Sequence, residues 1–506
     1  MKHQFYLTAF FSLFLTSVTA QTTKEIVKSD DVVIEGTLTD PLIASSPNQK
    51  ATVTIRISTF ATTADGFPAT NYVQEVSADR KFKFVIPAPS SRFYMDIYFE
   101  PAKDKYWAFL DNIYILEKGD RIKCNLSSDY FEFSGKGSAK LNCQSAINKH
   151  QYHPKTVINE VNVSENSKEI EDNKLDSILN LRLAVVNKYA PTLGNEMTDI
   201  MIANCYGMRY FLWLRTGYIT SQTAQKFLNF TATTAYKKID FSLNQKMKPD
   251  FLVASPIYCD FLFQKICVES LRYNDWKTAR SEERNRYMFK TIKDNYTGII
   301  REKLLTIFFL KARNSFPWLQ EALPIIKDDF YKKLLTHLQR TNADGLPFYP
   351  FELENSKGNV VKLTDFKDKV IILDFWFTGC SPCKKLNEAM KPVIDRYKGN
   401  PNVEFVSISI DANKSTWLRS IKTGEYTHEL SVNLYAGKKN IATGGTNPLI
   451  SNYNVTSYPK LFIVKEGKMY SSNPPVPLLL DEKNPSKGNT RKLIELIDKA
   501  LKIENR

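Results

Sequence analysis

Residues 371–385 of the chain read IILDFWFTGCSPCKK, an apolar run followed by two cysteines three positions apart. With Val370 the run becomes VIILDFWF, and a short apolar stretch rich in β-branched and aromatic residues is typical of a strand buried on both faces. The residues from Cys383 to Tyr397 follow a helical pattern. The sequence therefore predicts a buried strand that leads into a helix, with Cys380 and Cys383 at the start of that helix.

Strand and helix patterns alternate through the rest of residues 342–506. GLPFYPFELENSKGNVVKLTDFKDK predicts two short strands, NVEFVSISID a second buried strand, PKLFIVKEGKMY a hairpin, and residues 490–503 an amphipathic helix. A strand, a helix and a further strand in this order predict a parallel crossover, with the hairpin appended. We therefore expect residues 342–506 to form one α/β domain.

Two other regions precede this domain. Strand-like segments with turn residues between them run from Val32 to Phe133, and they predict a small β-sandwich over residues 21–140. From residue 141 to residue 341 the apolar residues recur at helical spacing, which predicts a helical middle region. The stretch FSGKGSAKLN between the two regions favours a hairpin turn, with a phosphate-cradling loop as the alternative.

The first residues, MKHQFYLTAFFSLFLTSVTAQ, have the pattern of a secretory signal. A basic start, a short apolar stretch and small residues ending at Ala20 predict a signal peptide over residues 1–20, with an uncleaved anchor helix as the alternative. The apolar stretch from Met201 to Leu214 contains Asn204 and Arg209, so we expect a buried helix there and no transmembrane span in the mature chain. These patterns indicate an exported protein of the periplasm or cell envelope.

The chain carries 69 lysine and arginine residues against 54 aspartate and glutamate residues, a net charge of +15. A basic protein invites a nucleic-acid interpretation, but the basic residues are spread along the chain. A solvated basic surface is the better interpretation, and we predict no nucleic-acid partner.

Seven cysteines are present, and if Cys380 pairs with Cys383 an odd number remains, so at least one should be free. A Cys124–Cys143 disulfide is one open possibility in an oxidising compartment. Half of a zinc site is the alternative for Cys380 and Cys383, but no second C-x-x-C exists, and we predict no metal. A metal site near His150 and His153 is a weaker alternative.

A disulfide-exchange catalyst needs one thiolate that attacks and a second thiol that resolves the mixed disulfide. A C-x-x-C at the start of a helix supplies both, because unpaired backbone N–H groups and the helix dipole favour the anionic form of the first cysteine. Such thiols have pKa values of roughly 3.5–7.5, against about 8.5 for a free cysteine. The pattern therefore indicates redox chemistry.

The segment LDFWFTGCSPCK resembles the active-site segment of the thioredoxin superfamily, and the residues before it resemble the lead-in of the exported TlpA/ResA-like branch. The resemblance covers about Asp344 to Arg506. It implies that Cys380 is the nucleophile, that Cys383 is the resolving thiol, and that Asp374 is the buried carboxylate that moves the resolving thiol's proton. A carboxylate in an apolar strand has a raised pKa, which suits that role.

The same resemblance assigns the substrate side of the site. Trp376 matches the tryptophan that packs beneath the site, Pro459 matches the cis-proline opposite the disulfide, and Tyr458 is placed to face a substrate. All three are expected to contribute to substrate binding. Two departures from the family pattern are Gly379, where a tryptophan often stands, and a helix proline that falls later than usual, at Pro392.

The resemblance implies an exported thiol-disulfide reductase that acts on protein disulfides without a cofactor and is recharged by a membrane electron donor of the DsbD/CcdA kind. A disulfide oxidant or isomerase is the nearest alternative. A non-catalytic envelope binding protein with an idle thioredoxin-like domain is the alternative from another class. Residues 114–142 resemble the N-terminal β-domain that often precedes TlpA-like domains, a domain without assigned chemistry.

Overall fold

The structure is a computed structural model, and its fold agrees with the expected class: β-sheets, then a helical region, then an α/β domain. The described residues are 18–19, 27–39, 51–62, 69–76, 79–100, 113–127, 131–150, 165–220, 223–237, 239, 241–273, 282–311, 316–411, 413–437, 447–453, 455, 458–477 and 488–502. Of the predicted signal peptide, only Val18 and Thr19 are among them.

The first described region is a β-sandwich whose two sheets have the strand orders β1-β4-β3-β6-β7 and β5-β2-β8-β9. Apolar residues from both sheets interleave in one core, which includes Ile34, Val53 and Phe93. Alternating burial along β5, KFKFVI, shows why its sequence forms a strand with one buried face. The strands are β1 Val18–Thr19, β2 Val32–Leu38, β3 Ala51–Ser58, β4 Thr70–Val76, β5 Lys81–Ile86, β6 Arg92–Glu100, β7 Tyr114–Glu117, β8 Arg121–Leu126 and β9 Phe131–Lys136.

The hairpin expected in FSGKGSAKLN is wrong, because the chain passes there from strand β9 directly into a helix that begins at Ser138. Gly137 caps this helix with φ of 90°, a left-handed conformation that glycine adopts without strain. A Cβ atom at Gly137 would lie 2.0 Å from the Asp120 carboxylate. That carboxylate forms a buried ion pair with Lys140 at 2.7 Å, so the close approach explains the glycine without any phosphate ligand.

The helical region packs its apolar faces into one large core. Its longest helical segment, α2, consists of two helices that meet at a kink at Gly194, whose φ and ψ are not helical, and it contains Asn204 and Arg209 as buried residues. None of the helices in the described part of the chain combines the length and the hydrophobicity needed to cross a membrane. The helices are α1 Ser138–Asn148, α2 Glu165–Thr220, α3 Ala224–Thr231, α4 Thr234–Lys237, α5 Leu243–Lys246, α6 Pro249–Ala254, α7 Tyr258–Ser270, α8 Glu282–Asn295, α9 Gly298–Lys311, α10 Phe316–Ala322 and α11 Asp329–Asn342, with 3-10 turns at Leu271–Tyr273 and Leu323–Ile325.

The sandwich has its own core and also contributes a few residues to the core of the helical region. Phe60, Tyr94 and Ile115 of the sandwich belong to the same apolar cluster as the helices. The Tyr94 hydroxyl donates to the Ala254 carbonyl at 2.9 Å, and the Thr62 hydroxyl donates to the buried Asp260 carboxylate at 2.8 Å. The two regions therefore form one packed body.

The C-terminal domain is built on a sheet with the order β11-β10-β14-β13-β12-β15-β16. Strand β12 lies inside the sheet, parallel to β13 and antiparallel to β15. Leu373 and Phe375 point into one apolar core and Val370 and Ile372 into another, so both faces are covered as expected. The elements are β10 Glu352–Asn355, β11 Val360–Lys362, a 3-10 turn Leu363–Phe366, β12 Val370–Trp376, α12 Ser381–Arg396, β13 Val403–Ser409, α13 Lys414–Thr423, β14 Val432–Tyr435, α14 Pro448–Asn452, β15 Lys460–Lys465, β16 Lys468–Ser471 and α15 Asn489–Lys502.

Candidate redox site

Cys380 and Cys383 lie where strand β12 passes into helix α12, as the sequence predicts. Cys380 is the N-cap residue of the helix, and its Sγ accepts a hydrogen bond from the Cys383 backbone N–H at 3.2 Å. The two cysteines form a disulfide, with their Cα atoms 5.3 Å apart. The positive end of the helix dipole and the free N–H groups of the first turn favour a thiolate at Cys380 after reduction.

Asp374 lies on strand β12, with Ser407 of β13 and Leu461 of β15 as its register partners. Its Oδ1 is inaccessible to solvent and has no hydrogen-bond partner among the described residues. Burial raises the pKa of this carboxyl from 3.8 to about 7, because the charged form loses its hydration. A carboxyl with this pKa can both release and accept a proton near neutral pH.

Trp376 is fully buried beneath the disulfide. Its indole Nε1 donates to the Ser407 hydroxyl at 2.7 Å, and its ring stacks on Tyr426 with centroids 5.1 Å apart. The predicted contribution of Trp376 to substrate binding does not fit a direct contact, because no part of the side chain reaches the surface. Its place beneath the disulfide agrees with the expected packing, which makes it a support for the site.

Tyr458 and Pro459 are joined by a cis peptide bond, the conformation that the resemblance implies for Pro459. The Tyr458 hydroxyl donates to the Val455 carbonyl at 3.2 Å, and its ring meets Phe377 edge to face with centroids 5.5 Å apart. Phe377 is exposed, at 37% of its full accessible surface. The side chains next to the predicted substrate residues therefore offer apolar surface to a partner.

A hydrogen-bond network holds the turn between β12 and Cys380. The Asp411 carboxylate accepts from the Thr378 N–H and from the Thr378 hydroxyl, each at 2.8 Å, and from the Ser409 hydroxyl at 2.9 Å. The next residue, Gly379, has φ of 97°, and its N–H donates to the Tyr426 hydroxyl at 2.8 Å. The residues just before Cys380 are therefore held by hydrogen bonds from two neighbouring segments.

Comparison with known proteins shows what this domain is similar to. Residues 368–470 match the family model described as "Thioredoxin-like". The C-terminal part of the chain is a thioredoxin-like domain. It is similar to the thioredoxin-like protein YneN of Bacillus subtilis, at 30% identity over 116 residues, and to the thiol-disulfide oxidoreductase ResA of Bacillus anthracis, at 29% over 119 residues. The similarity covers 23% and 24% of this chain and 62% of each relative, so it extends over about three fifths of their length.

Among solved structures, the chain is similar to the thioredoxin domain of a thiol-disulfide oxidoreductase from Bacteroides vulgatus, at 22% identity and a TM-score of 0.25. That match covers 31% of this chain and 96% of the other. A thiol:disulfide interchange protein from a Bacteroides species is similar at 22% identity and a TM-score of 0.24, over 29% of this chain and 91% of the other. The resemblance to the TlpA/ResA-like branch is confirmed by the ResA and YneN similarity.

Three residues of the thioredoxin-like domain escaped the sequence interpretation: Thr378, Asp411 and Tyr426. A signal for Asp411 existed, because it ends the stretch NVEFVSISID, just beyond the buried strand, and carboxyl ends of neighbouring parallel strands meet at one edge of a sheet. Tyr426 carries no such signal, since it follows α13 and reaches Trp376 only through the tertiary fold.

The five other cysteines are free thiols, so the Cys124–Cys143 disulfide is wrong. Burial raises the pKa of Cys124, Cys143 and Cys205 to about 12, and burial raises that of Cys259 and Cys267 to about 11. Within the described ranges, no group of three or more His, Cys, Asp or Glu side chains could hold a metal ion. His153, part of the weaker metal alternative, lies outside the described residues.

Proposed function

We propose that this protein is a thiol-disulfide oxidoreductase that reduces disulfides of other proteins through Cys380 and Cys383. The observation that carries the proposal is the placement of these two cysteines, which are bonded to each other at the amino end of α12. The strand before this helix, β12, holds the buried carboxyl of Asp374, whose pKa is about 7. Its relatives ResA and YneN carry names of the same chemical class or fold, which supports the proposal.

The reaction begins from the dithiol form. The Cys380 thiolate attacks one sulfur of the substrate disulfide, forms a mixed disulfide and releases the other substrate sulfur as a thiolate, which takes up a proton. Cys383 then attacks the Cys380 sulfur, and the first substrate sulfur leaves as the second thiol. Two electrons pass from the cysteine pair to the substrate, and the Cys380–Cys383 disulfide of the structure is the product.

Asp374 acts in the second half of this sequence. Cys383 is a nucleophile only after it loses its proton, and the ionised Asp374 carboxylate accepts that proton. Its burial in the apolar strand keeps its pKa near neutrality, so a useful fraction is ionised at pH 7 while the acid can still return a proton. The buried Oδ1 without a hydrogen-bond partner agrees with a carboxyl that is protonated for part of the reaction cycle.

The substrate approaches across Tyr458 and Pro459, next to the exposed ring of Phe377. The disulfide of the product form is regenerated to the dithiol by an electron donor, which we propose to be a membrane protein of the DsbD/CcdA kind. Export to the periplasm or cell envelope, proposed from residues 1–20, places the protein where disulfides of other proteins persist.

One observation favours the non-catalytic alternative. Cys380 is only 4% exposed, and a sulfur must be reachable for in-line attack. A binding protein with an idle cysteine pair would tolerate such burial, whereas the oxidoreductase must open locally around Cys380. The reduction potential of the Cys380/Cys383 pair distinguishes the two functions, because an idle pair does not exchange electrons with a redox buffer.

The test is the reduction potential of the Cys380/Cys383 pair in dithiothreitol and glutathione buffers, with Cys380→Ser as the control. A two-electron transition near the thioredoxin value of about −270 mV supports a reductase. A value near about −120 mV indicates the oxidant or isomerase instead. No transition of the wild-type pair rejects thiol-disulfide chemistry for this protein.

A further inference from the structure

An exposed aromatic ring stands in the turn that leads to Cys380. The Cys380 N–H donates to the Phe377 carbonyl at 3.2 Å, and this bond closes a turn over residues 377–380. Such a turn keeps its first and last Cα atoms within about 7 Å of each other. Phe377 is 37% exposed, whereas Trp376, the residue before it, is fully buried. The ring of Phe377 therefore reaches solvent within one turn of Cys380.

The ring is held on one side and open on another. It meets the Tyr458 ring edge to face, with centroids 5.5 Å apart. Tyr458 is itself fixed, because its hydroxyl donates to the Val455 carbonyl at 3.2 Å and its ring packs against the apolar cluster that contains both cysteines. A ring that is already supported in this way loses little conformational entropy when a partner covers its open side.

Position, and not exposure alone, distinguishes Phe377. Single exposed apolar side chains are normal on protein surfaces. In the described part of the C-terminal domain, the large apolar side chains that are exposed are Leu346, Val360, Phe377 and Leu430. Of these four, Phe377 is the aromatic one and the one that belongs to the turn closed by Cys380. A partner of the cysteine pair therefore has an aromatic contact available directly beside the reacting sulfur.

The same turn leaves space for a side chain of the partner. A Cβ atom added to Gly379 would have no atom within 4 Å other than those of its chain neighbours. Gly379 has φ of 97°, a conformation that glycine adopts without strain, so the turn itself requires the residue without a side chain. The surface next to Cys380 is therefore open enough for a bulky group.

We propose that Phe377 selects among disulfides by contacting a large apolar side chain next to the substrate cysteine. The inference rests on the proposed function and names its substrate class: polypeptides with a leucine-sized or aromatic residue beside the disulfide. When a substrate sulfur lies in line with Cys380, the residue next to the substrate cysteine is one Cα step away, about 3.8 Å. Its side chain is then within reach of the Phe377 ring, and burial of the two apolar surfaces against each other favours binding.

The chemistry of the ring also favours one kind of polypeptide. Folded proteins bury most of their large apolar residues, so such a residue beside a disulfide is accessible mainly in an unfolded or partly folded chain. A small disulfide with charged groups, such as glutathione disulfide, has no large apolar side chain to place on the ring. We therefore expect incompletely folded proteins to be better substrates than small-molecule disulfides.

The experiment compares two neutral substrates, the disulfide-linked dimers of the blocked peptides Gly-Leu-Cys-Leu-Gly and Gly-Ser-Cys-Ser-Gly. The full-length protein is reduced, freed of reductant and mixed with each dimer, and acid-quenched samples are separated by chromatography. Each reaction releases two peptide thiols as the Cys380–Cys383 disulfide forms. Each rate constant is divided by that of dithiothreitol with the same dimer, which cancels the intrinsic reactivity of the peptide. We expect the wild-type protein to prefer the leucine dimer about 5- to 20-fold.

Two substitutions of the ring test this preference. Phe377→Ser should bring the ratio of the two normalised rates close to unity. Phe377→Leu retains an apolar side chain and should keep at least about half of the preference, which leaves the test decisive if the serine variant does not fold.

The matched control is Leu430→Ser. Leu430 is 40% exposed in the same domain, but it precedes β14, which runs parallel to β13 and so to β12. It therefore lies at the opposite end of the sheet from the turn that follows β12. We expect this variant to show the wild-type ratio, and a lost preference in it would overturn the role of Phe377.

The outcomes separate this inference from the proposed function. Equal normalised rates for the two dimers, or the wild-type ratio in Phe377→Ser, overturn the inference while the redox function stands. Reduction of neither dimer, with no titration of the Cys380/Cys383 pair in a redox buffer, removes the proposed function and this inference with it. Sedimentation of the oxidised protein tests a second copy of the chain as the occupant. A wild-type dimer that becomes a monomer in Phe377→Ser would assign the ring to self-association and overturn the substrate contact.

Discussion

Cys380 of the thioredoxin-like domain and Cys124 of the preceding body differ in environment and not in exposure. Cys380 and Cys124 are both 4% exposed, yet they have different surroundings. Cys380 caps a helix and receives a backbone N–H, whereas Cys124 lies in strand β8 within the apolar core of the sandwich, where burial raises its pKa to about 12. A buried cysteine is therefore reactive or inert according to the dipoles that face its sulfur.

The two groups of thiols also differ in what is available for proton transfer. Asp374 lies on strand β12, which leads into the helix that carries the cysteine pair, and burial raises its pKa to about 7. Cys143 and Cys205 lie in the large helical core, and burial raises both of their pKa values to about 12. The five free thiols are therefore packing residues, while Cys380 caps a helix and, in the proposed function, Asp374 is the proton acceptor for Cys383.

The largest expected effect is the loss of turnover in Cys380→Ser. A serine hydroxyl cannot form the mixed disulfide, so reduction of a protein disulfide should fall by at least about 10³-fold. Release of free thiol from the substrate measures this. The matched control is Cys267→Ser, the partly exposed free thiol, which should retain wild-type turnover. Equal losses in both variants would remove the distinction between the two classes of thiol.

Alkylation of the reduced protein tests the same comparison without mutation. At pH 8, iodoacetamide should label Cys380 at least about 100-fold faster than any of the five thiols with raised pKa values, because the thiolate is the reactive form. Peptide mass spectrometry of timed samples gives the labelling rates of Cys380 and of the five other thiols. Rapid labelling of Cys124 or Cys205 in folded protein would contradict the inert assignment.

Replacement of the carboxyl in Asp374→Asn should slow resolution of the mixed disulfide by about 10- to 100-fold. In the wild-type protein only the ionised carboxylate accepts the Cys383 proton, so the resolution rate should rise as pH passes through about 7. Asparagine accepts no proton, and this rise should disappear. Stopped-flow release of a thiol from a preformed mixed disulfide, followed across this pH range, makes the measurement.

The raised pKa of Asp374 should also make Asp374→Asn more stable than the wild-type protein at high pH. Between pH 3.8 and about 7 the folded protein keeps the Asp374 proton that the unfolded chain releases, so the free energy of unfolding falls as pH rises. Asp374→Asn lacks this slope and should gain roughly 2–4 kcal/mol relative to wild type above pH 7. Urea unfolding at several pH values measures it, and parallel pH curves for the two proteins would rule it out.

A smaller effect is expected from Asp411→Asn. The substitution removes the charge from three hydrogen bonds, two of them to Thr378, and should cost about 1–3 kcal/mol of unfolding free energy. Asp395→Asn, at an exposed position on α12, is the control and should leave stability unchanged. Urea unfolding followed by tryptophan fluorescence gives both values. Equal stability in the two variants would show that the network does not hold the turn.

The sequence predicted the parts of the site that lie close together along the chain. The run VIILDFWF and the spacing of Cys380 and Cys383 fix a buried strand and a helix start, since both depend on local pattern. The network around Thr378 depends instead on which strand ends become neighbours, and Tyr426 reaches Trp376 through a segment with no local signature. The prediction of a hairpin turn in FSGKGSAKLN was wrong because a glycine can cap a helix as well as form a hairpin.

The sandwich residues that pack into the core of the helical region have a consequence for heating. Phe60 and Tyr94 tie those two regions into one apolar cluster, whereas the described clusters of the thioredoxin-like domain begin at Phe348 and have no member in common with it. Regions with separate cores melt as separate cooperative units. Calorimetry of the intact chain should therefore resolve two heat-absorption peaks, and a ligand of the C-terminal domain should shift only one of them.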